Sequence, residues 1–356
     1  MTRVVIAGGG TGGHLYPGVA VARELLRRQP DAIVTFAGTA RGIESRLVPR
    51  EGFELDVIRS VGLKGRSIVN ALRGLAIVPV SLVDAWALVS RRRPDVVVGV
   101  GGYSSGPVVL VAALRRIPTM LLEQNAVPGL TNRLLARVVR AAALTYGDVG
   151  NYFGRRGFVT GNPVRPEFFD SSIVDSASGR KVLILGGSQG AHAINVAMVA
   201  AAAELGRRHP GLEIIHQTGE RDLADVREGY RRAGVAARAE SFIDGVACEM
   251  KSADLVVCRA GATTLAELAA LGRPALLVPF PKATDDHQTK NALVLADAGA
   301  AALLSENSLA QRLADMTSDL LTDDTRRASM SAAMKAFARP DAATRIVDRL
   351  TELVAA

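Results

Sequence analysis

Cysteine is almost absent from this chain. Cys248 and Cys258 are the only two, and no C-x-x-C motif occurs. A disulfide scaffold and a zinc site are therefore both disfavoured. Aromatic residues make up 4% of the sequence, which argues against a surface that stacks unpaired bases on rings. No Asp-x-Asp occurs, so the sequence offers no paired aspartates to clamp a divalent ion on a nucleotide diphosphate, and no fixed metal or other cofactor is expected. No G-x-x-x-x-G-K-[ST] occurs, so P-loop ATP hydrolysis is not supported. The longest nearly uncharged run, residues 74–90, contains Pro79 and Asp84 and falls short of the ~20 apolar residues that a spanning helix needs. A strand-like run begins straight after Met1-Thr2-Arg3, so no secretory signal is expected and a cytoplasmic location follows.

The charge that is present is positive, +8 net, without a basic low-complexity tail. With so few aromatics, this points away from nucleic acid and toward a phosphorylated substrate or an anionic membrane surface. The 356 residues, 48% hydrophobic and 22% charged, suit a soluble chain of two domains with full cores. Apolar strand-like runs alternate with helical ones, which predicts an α/β fold with parallel sheets covered on both faces. The alternation restarts after Gly161-Asn162-Pro163. Val4-Val5-Ile6-Ala7-Gly8-Gly9 opens the first half and Val182-Leu183-Ile184-Leu185-Gly186-Gly187 the second, each followed by a histidine, His14 or His192. Two Rossmann-like domains with a cleft between them are expected, spanning 1–162 and 163–340. A last helix, in 341–356, is free to return to the first domain.

The first loop, Gly8-Gly9-Gly10-Thr11-Gly12-Gly13-His14, links a strand to a helix start, a setting that favours a phosphate or diphosphate. It satisfies G-x-G-x-x-G, but the second strand, Ile33–Thr39, ends without the acid that a dinucleotide ribose requires. A second glycine cluster, Gly99-Val100-Gly101-Gly102-Tyr103, reads equally as an anion loop or a close-packed turn. In the second half, Ala262, Thr263, Thr264, Leu265 and Ala266 open a helix whose N–H and hydroxyl donors suit a diphosphate. Glu267 is placed either to hold ribose hydroxyls or to complement the helix dipole. Gln288 and Asn291, in a polar stretch, are candidates for sugar hydroxyls, or belong to an ordinary loop with an N-cap aspartate. His14 is the candidate base, because an unperturbed imidazole with a pKa of about 6.5 can take a proton from a hydroxyl near neutral pH. The alternative is a helix-start histidine that donates to a phosphate.

Taken in order, Gly9–His14, Gly101-Gly102-Tyr103, Glu123-Gln124-Asn125, Gly161–Arg165, Gly186–Gly190, Arg259–Ala262 and His287-Gln288 form a set that resembles the MurG family of bacterial N-acetylglucosaminyltransferases. The resemblance covers essentially the whole chain. It implies a two-domain glycosyltransferase of the B type that transfers GlcNAc from UDP-GlcNAc to the 4-hydroxyl of the muramyl sugar of lipid I. Inversion at the anomeric carbon, release of UDP and formation of lipid II would follow. The carried-over roles place Ser188 at the diphosphate and Ile243 at the uracil through its backbone. Ala262, Thr263 and Thr264 would line the phosphates, Leu265 and Ala266 belong to the donor site, Glu267 would bind the ribose and Gln288 the GlcNAc. Thr11, Gly12, Gly13, Asn125 and Arg165 match positions at the donor sugar and the cleft. Gly10, Gly101, Gly102 and Tyr103 would face the acceptor diphosphate, and His14 matches the proposed base. The stretch Pro281–Asp286 lies where family loops vary.

A lipid acceptor gives the apolar run a role. Leu72, Leu75, Ala76, Leu82, Val83 and Trp86 recur at roughly helical spacing, with Lys64, Arg66 and Arg73 before them and Arg91-Arg92-Arg93 after. This is either an interfacial face at an anionic inner leaflet or a core helix. Peripheral attachment to the cytoplasmic face of the membrane is the expectation, with cell-wall and division proteins as admissible partners. The competing functions are a B-type transferase with another acceptor, a NAD-dependent oxidoreductase and a nucleic-acid-binding protein.

Overall fold

The computed structural model describes residues 1–60, 68–170, 180–187 and 189–356, with the backbone alone for 68–76. The chain divides into two compact units, Met1–Arg165 with Arg339–Ala356, and Pro166–Ala338.

The first unit runs β1 (Arg3–Gly8), α1 (Gly12–Arg28), β2 (Ile33–Gly38), α2 (Glu44–Arg50), β3 (Glu54–Val57), α3 (Ile68–Arg92), β4 (Val96–Gly101), α4 (Ser105–Leu114), β5 (Thr119–Glu123), α5 (Leu130–Leu135), β6 (Ala141–Leu144), α6 (Gly150–Phe153) and β7 (Gly157–Val159). Its seven strands lie in the order β3-β2-β1-β4-β5-β6-β7, and every pairing is parallel. Strand alternation sorts the core into two layers. Val4 and Ile6 face Leu15, Val19 and Ala22 of α1, while Val5 and Ala7 join Leu88, Val89, Val108 and Val109 on the other side.

The second unit runs β8 (Lys181–Leu185), α7 (His192–Arg208), β9 (Glu213–Gln217), α8 (Leu223–Ala233), β10 (Ala236–Glu240), α9 (Val246–Ser252), β11 (Leu255–Cys258), α10 (Ala262–Leu271), β12 (Ala275–Leu277), α11 (His287–Asp297), β13 (Ala301–Leu303), α12 (Leu309–Thr322) and α13 (Asp324–Lys335). Its six strands, again all parallel, take the order β10-β9-β8-β11-β12-β13. Val182 and Ile184 of β8 pack with Ile194, Met198 and Leu205 of α7 and with Leu313 and Leu320 of α12.

The last helix, α14 (Ala342–Ala355), returns to the first unit. Ile346, Val347, Leu350 and Leu353 complete the layer under α1, and Asp348 pairs with Arg28. Gly161, with φ +82°, lies against Arg339, where a Cβ would come within 2.4 Å of the arginine side chain. Its place in the sequence motif therefore has a packing reason inside this unit.

In α3, Ala85, Leu88 and Val89 are buried, whereas Val83 and Trp86 are 66% and 55% exposed. Leu82 packs partly against the core, so the apolar run serves both faces of the helix. Arg91 and Arg92 both bind Asp56, and Arg92 also binds Glu54. The flanking cations are thus partly committed to carboxylates of β3. Lys64 and Arg66, and the side chains of Leu72, Arg73, Leu75 and Ala76, lie outside the described residues. Among the described residues no helix is long and apolar enough to cross a membrane.

Candidate active site

Each sheet reverses its strand order at one point, and the candidate residues gather at the C-terminal strand ends there. In the first unit the chain leaves β1 toward β2 and β3, and leaves β4 toward β5 to β7. The loops after β1 and β4 therefore diverge and open a crevice, the usual ligand position in sheets of this kind. The two glycine loops line it and touch. A Cβ on Gly8, at φ +148°, would lie 2.5 Å from Gly101 O, and one on Gly102, at φ +78°, would lie 2.5 Å from Gly9 O. Both readings of the second cluster thus have a share: it is a close-packed turn, and it lines the crevice.

A residue that sequence reasoning missed holds the first loop. Glu44, buried at the start of α2, accepts hydrogen bonds at 2.8 Å from Gly10 N, Thr39 N and Thr39 Oγ1. Its carboxylate fills the space that a side chain on Gly9 would need. An acid after β2 does exist, but its oxygens are spent on protein donors, which opposes the dinucleotide reading. The available signal was a lone glutamate six residues beyond a strand that ends in glycine.

His14 lies in the first turn of α1. Its Nδ1 is 3.3 Å from Gln124 Oε1, and the Gln124 Nε2 donates to Val100 O at 3.0 Å. Gly101 backs the ring, since a Cβ there would come within 2.8 Å of Nδ1. Thr11 occupies the N-cap position, is exposed, and makes no side-chain cap bond, while Gly12 and Gly13 form the helix start behind it. Tyr103 is exposed, with its hydroxyl 3.7 Å from the Cβ position of Gly10. Asn125 donates to Glu123 Oε1 through its backbone N–H at 3.0 Å and its amide at 3.3 Å. Glu123 Oε2 accepts from Gly129 N and Asn132 Nδ2. Burial pushes the Glu123 carboxyl up against those four hydrogen bonds. The Arg165 guanidinium lies 4.5 Å over the Tyr16 ring. One crevice in this unit thus gathers Gly10, His14, Gly101 and Gly102, with Gln124 beneath His14.

The second unit repeats the reversal at β8 and β11. Gly190, at φ +76°, lies so close to Thr218 O that a Cβ there would overlap it at 1.9 Å. Ser188 lies outside the described residues. Gln217, at the end of β9, ties two neighbouring segments: its Nε2 donates to Gly187 O at 2.9 Å and its Oε1 accepts from Ile243 N at 3.0 Å. The Ile243 N–H is therefore engaged by protein, and a base would meet this residue through its carbonyl. Sequence reasoning missed Gln217; its place at the C-terminal end of an apolar strand was the signal.

Gly261 is the N-cap of α10 and makes no side-chain cap, so the helix start at Ala262, Thr263 and Thr264 presents first-turn N–H groups and a positive dipole end. Leu265 is buried and Ala266 half-buried. Glu267 is buried and lies beyond the first turn of α10, which removes most of the dipole alternative. Burial, helped by the Glu267 charge, pushes the Cys258 thiol up to about 12, so this cysteine is inert. Gln288 is anchored in turn, with its Oε1 accepting from Phe280 N at 2.9 Å. Asn291 Nδ2 donates to Ala260 O at 3.3 Å, which ties α11 to the segment leading into α10. In the variable stretch, Asp285 and Asp286 adopt φ of 55° and 53°, and Asp286 makes no side-chain cap. Arg259 donates to Val278 O and Pro279 O and pairs with Glu306, so it braces the strand ends. Among the described residues no three of His, Cys, Asp and Glu group as metal ligands.

Residues 4–144 match the glycosyltransferase family 28 N-terminal domain and residues 181–346 the glycosyltransferase family 28 C-terminal domain. The chain is 47% identical to the UDP-N-acetylglucosamine–N-acetylmuramyl-(pentapeptide) pyrophosphoryl-undecaprenol N-acetylglucosamine transferase of Anaeromyxobacter dehalogenans (strain 2CP-C), over 99% of this chain and 93% of that one. It is 44% identical to the protein of the same name from Myxococcus xanthus (strain DK1622), over 99% and 94%. A crystal structure of Acinetobacter baumannii MurG superposes with a TM-score of 0.76 at 30% identity, covering 99% of this chain and 100% of that one.

Proposed function

This chain belongs to glycosyltransferase family 28, and on that premise we propose that it transfers GlcNAc from UDP-GlcNAc to the muramyl sugar of N-acetylmuramyl-(pentapeptide) pyrophosphoryl-undecaprenol. The observation that carries the reading is the pair of strand-order reversals, each furnished for one substrate. The first unit offers apposed glycine loops for the acceptor diphosphate and a histidine beside them. The second offers the α10 start for a nucleotide diphosphate, Glu267 for the ribose, the Ile243 carbonyl for the base and Gln288 for the sugar.

His14 Nε2 takes the proton of the sugar 4-hydroxyl as that oxygen bonds to the anomeric carbon. The bond from that carbon to UDP breaks on the opposite face, and UDP leaves with the electron pair. Inversion follows from this in-line geometry. N–H donors and the dipole of α10 stabilise the charge that develops on the departing diphosphate, the task that a metal ion performs elsewhere. Incubation with UDP-GlcNAc and a lipid I analogue, with and without EDTA, tests both statements. Disaccharide-lipid and UDP should form equally in both. UDP binding without product would overturn the acceptor assignment, and product lost only in EDTA would overturn the metal-free departure.

Attachment to a membrane surface is supported by Val83 and Trp86 on α3 and by Leu114, 71% exposed at the end of α4. The Arg115 guanidinium lies 5.0 Å over the Trp86 ring, so an apolar patch carries a cation at its edge. Cosedimentation with anionic vesicles should fall in W86E at low salt; equal binding by both chains would refute this patch.

A further inference from the structure

We propose that Gln124 is a positioning residue that fixes neutral His14 as the Nδ1–H tautomer and so places the basic lone pair on Nε2. This rests on the reading of His14 as the base. Gln124 is buried at the end of β5, where water cannot substitute for a missing partner. Its side-chain nitrogen donates to Val100 O at 3.0 Å. A carbonyl only accepts, so the nitrogen end of the amide must face Val100, and the oxygen end faces His14 Nδ1 at 3.3 Å. The reversed amide would set two oxygens against each other and leave a buried donor against the ring. An oxygen at Nδ1 requires a hydrogen there, and a neutral imidazole carries one N–H, so the lone pair lies on Nε2.

Gly101 restrains the same ring from a second side, with its Cβ position 2.8 Å from Nδ1 and 3.1 Å from Cε1. The loop after β4 and the end of β5 together thus set both the orientation and the protonation of the residue at the start of α1. An amide achieves this without a charge. A carboxylate in its place would also accept from Nδ1–H, but it would favour the imidazolium and oppose Val100 O. When Nε2 takes the hydroxyl proton, the Nδ1–H bond to Gln124 persists, so the proton transfer needs no rearrangement beneath the ring.

The test uses the full chain, labelled with 15N, and long-range proton–nitrogen correlation of the histidine rings, with His14 assigned by its loss in H14A. Above the titration of His14, its Nε2 should show the shift of an unprotonated ring nitrogen. His216 serves as the opposite reference. Its Nε2 faces Asn195 Oδ1, because the Asn195 amide nitrogen is donated to Thr218 O and Asp222, and its Nδ1 faces Tyr230 OH. In Q124M the His14 signals should average between tautomers and kcat should fall about 10- to 100-fold, the scale of losing an orienting partner of a functional histidine. The KM for UDP-GlcNAc should stay unchanged, which a general loss of structure would not allow. If Q124M does not fold, the native spectrum decides. A proton on Nε2 of native His14, or unchanged kcat in a folded Q124M, overturns the proposal. Full turnover in H14A overturns the base reading and with it the catalytic meaning of Gln124, whatever the spectrum shows; the two failures are thereby distinguishable.

Discussion

Each unit begins the helix after its first strand with a histidine, His14 on α1 and His192 on α7, and the two are held by different chemistry. His14 Nδ1 meets the neutral amide of buried Gln124. His192, 61% exposed, sets its Nδ1 2.9 Å from a carboxylate oxygen of Asp222. Asp222 also accepts from Asn195, whose Oδ1 faces His216, and His216 meets Tyr230 in the core. Burial tends to raise the Asp222 carboxyl, but the His192 and Asn195 bonds outweigh it and hold Asp222 below the usual carboxylate range. An amide oxygen and a carboxylate oxygen both call for a hydrogen on Nδ1, but only the second brings a charge to the ring. The same local plan, strand, glycine loop and helix-start histidine, thus sets one ring on a buried neutral amide and leaves the other exposed beside a carboxylate.

The largest effect that can break this comparison is on turnover. H14A should lower kcat by about 10²- to 10⁴-fold, the range for loss of a positioned base, with UDP binding retained. H192A should cost far less in kcat, because the proposed base is His14. Steady-state kinetics on both variants decide, and equal losses would overturn the assignment of His14 as the base.

A smaller effect sharpens the contrast through glycine. Gly101 has φ +97° and no room for a Cβ beside His14, whereas Gly261, the N-cap of α10, has φ −70° and open space. G101A should strain the backbone by about 1–3 kcal/mol and displace the imidazole, lowering both Tm and kcat. G261A should cost about 0.5–1 kcal/mol, because alanine caps a helix less well than glycine, and leave the acceptor step alone. Thermal melts and kcat values for the pair would refute the packing argument if G101A proved as mild as G261A.

The alternation of apolar runs and the repeat of Val4–Gly9 in Val182–Gly187 made the two parallel sheets readable, because strand and helix periods are local properties. The residues that set fine geometry were not readable. Glu44, Gln124 and Gln217 act through hydrogen bonds to partners distant in sequence, as with Gly10 N, 34 positions from Glu44, and Ile243 N, 26 positions from Gln217. Nothing in the flanking residues of Gln124 announces that its amide nitrogen belongs to Val100. Likewise, periodicity could not separate the two roles of α3, because Ala85 and Trp86 are adjacent and only packing assigns one inward and the other outward. Glycine spacing located the loops, but the reason for Gly161 waited on Arg339, which returns from 178 positions away.

The last comparison concerns acid, and here the two units should move in opposite directions. His216 in the second unit is buried between Tyr230 and Asn195, and burial holds its pKa down at about 3 against an ordinary 6.5. The unfolded chain therefore takes up a proton first, and the stability held above about pH 6.5 is lost progressively as pH falls toward 3. At pH 4.5 this amounts to about 3 kcal/mol, two pH units at roughly 1.4 kcal/mol each. In the first unit, Glu123 has the opposite sign. Its folded pKa lies above the ordinary 4.5, so the unfolded chain ionises first as pH rises, and the folded unit loses stability through that window. Acidification from neutral toward 4.5 therefore relieves the Glu123 penalty in the unit that holds His14, while it loads the His216 penalty onto the unit that holds His192. Calorimetric melts between pH 7 and pH 4.5 should show the transition of the second unit moving down relative to the first. The shift should shrink in H216Q, which keeps a polar group toward Asn195 but cannot be charged. Parallel movement of both transitions would mean that these two buried groups do not govern the acid response.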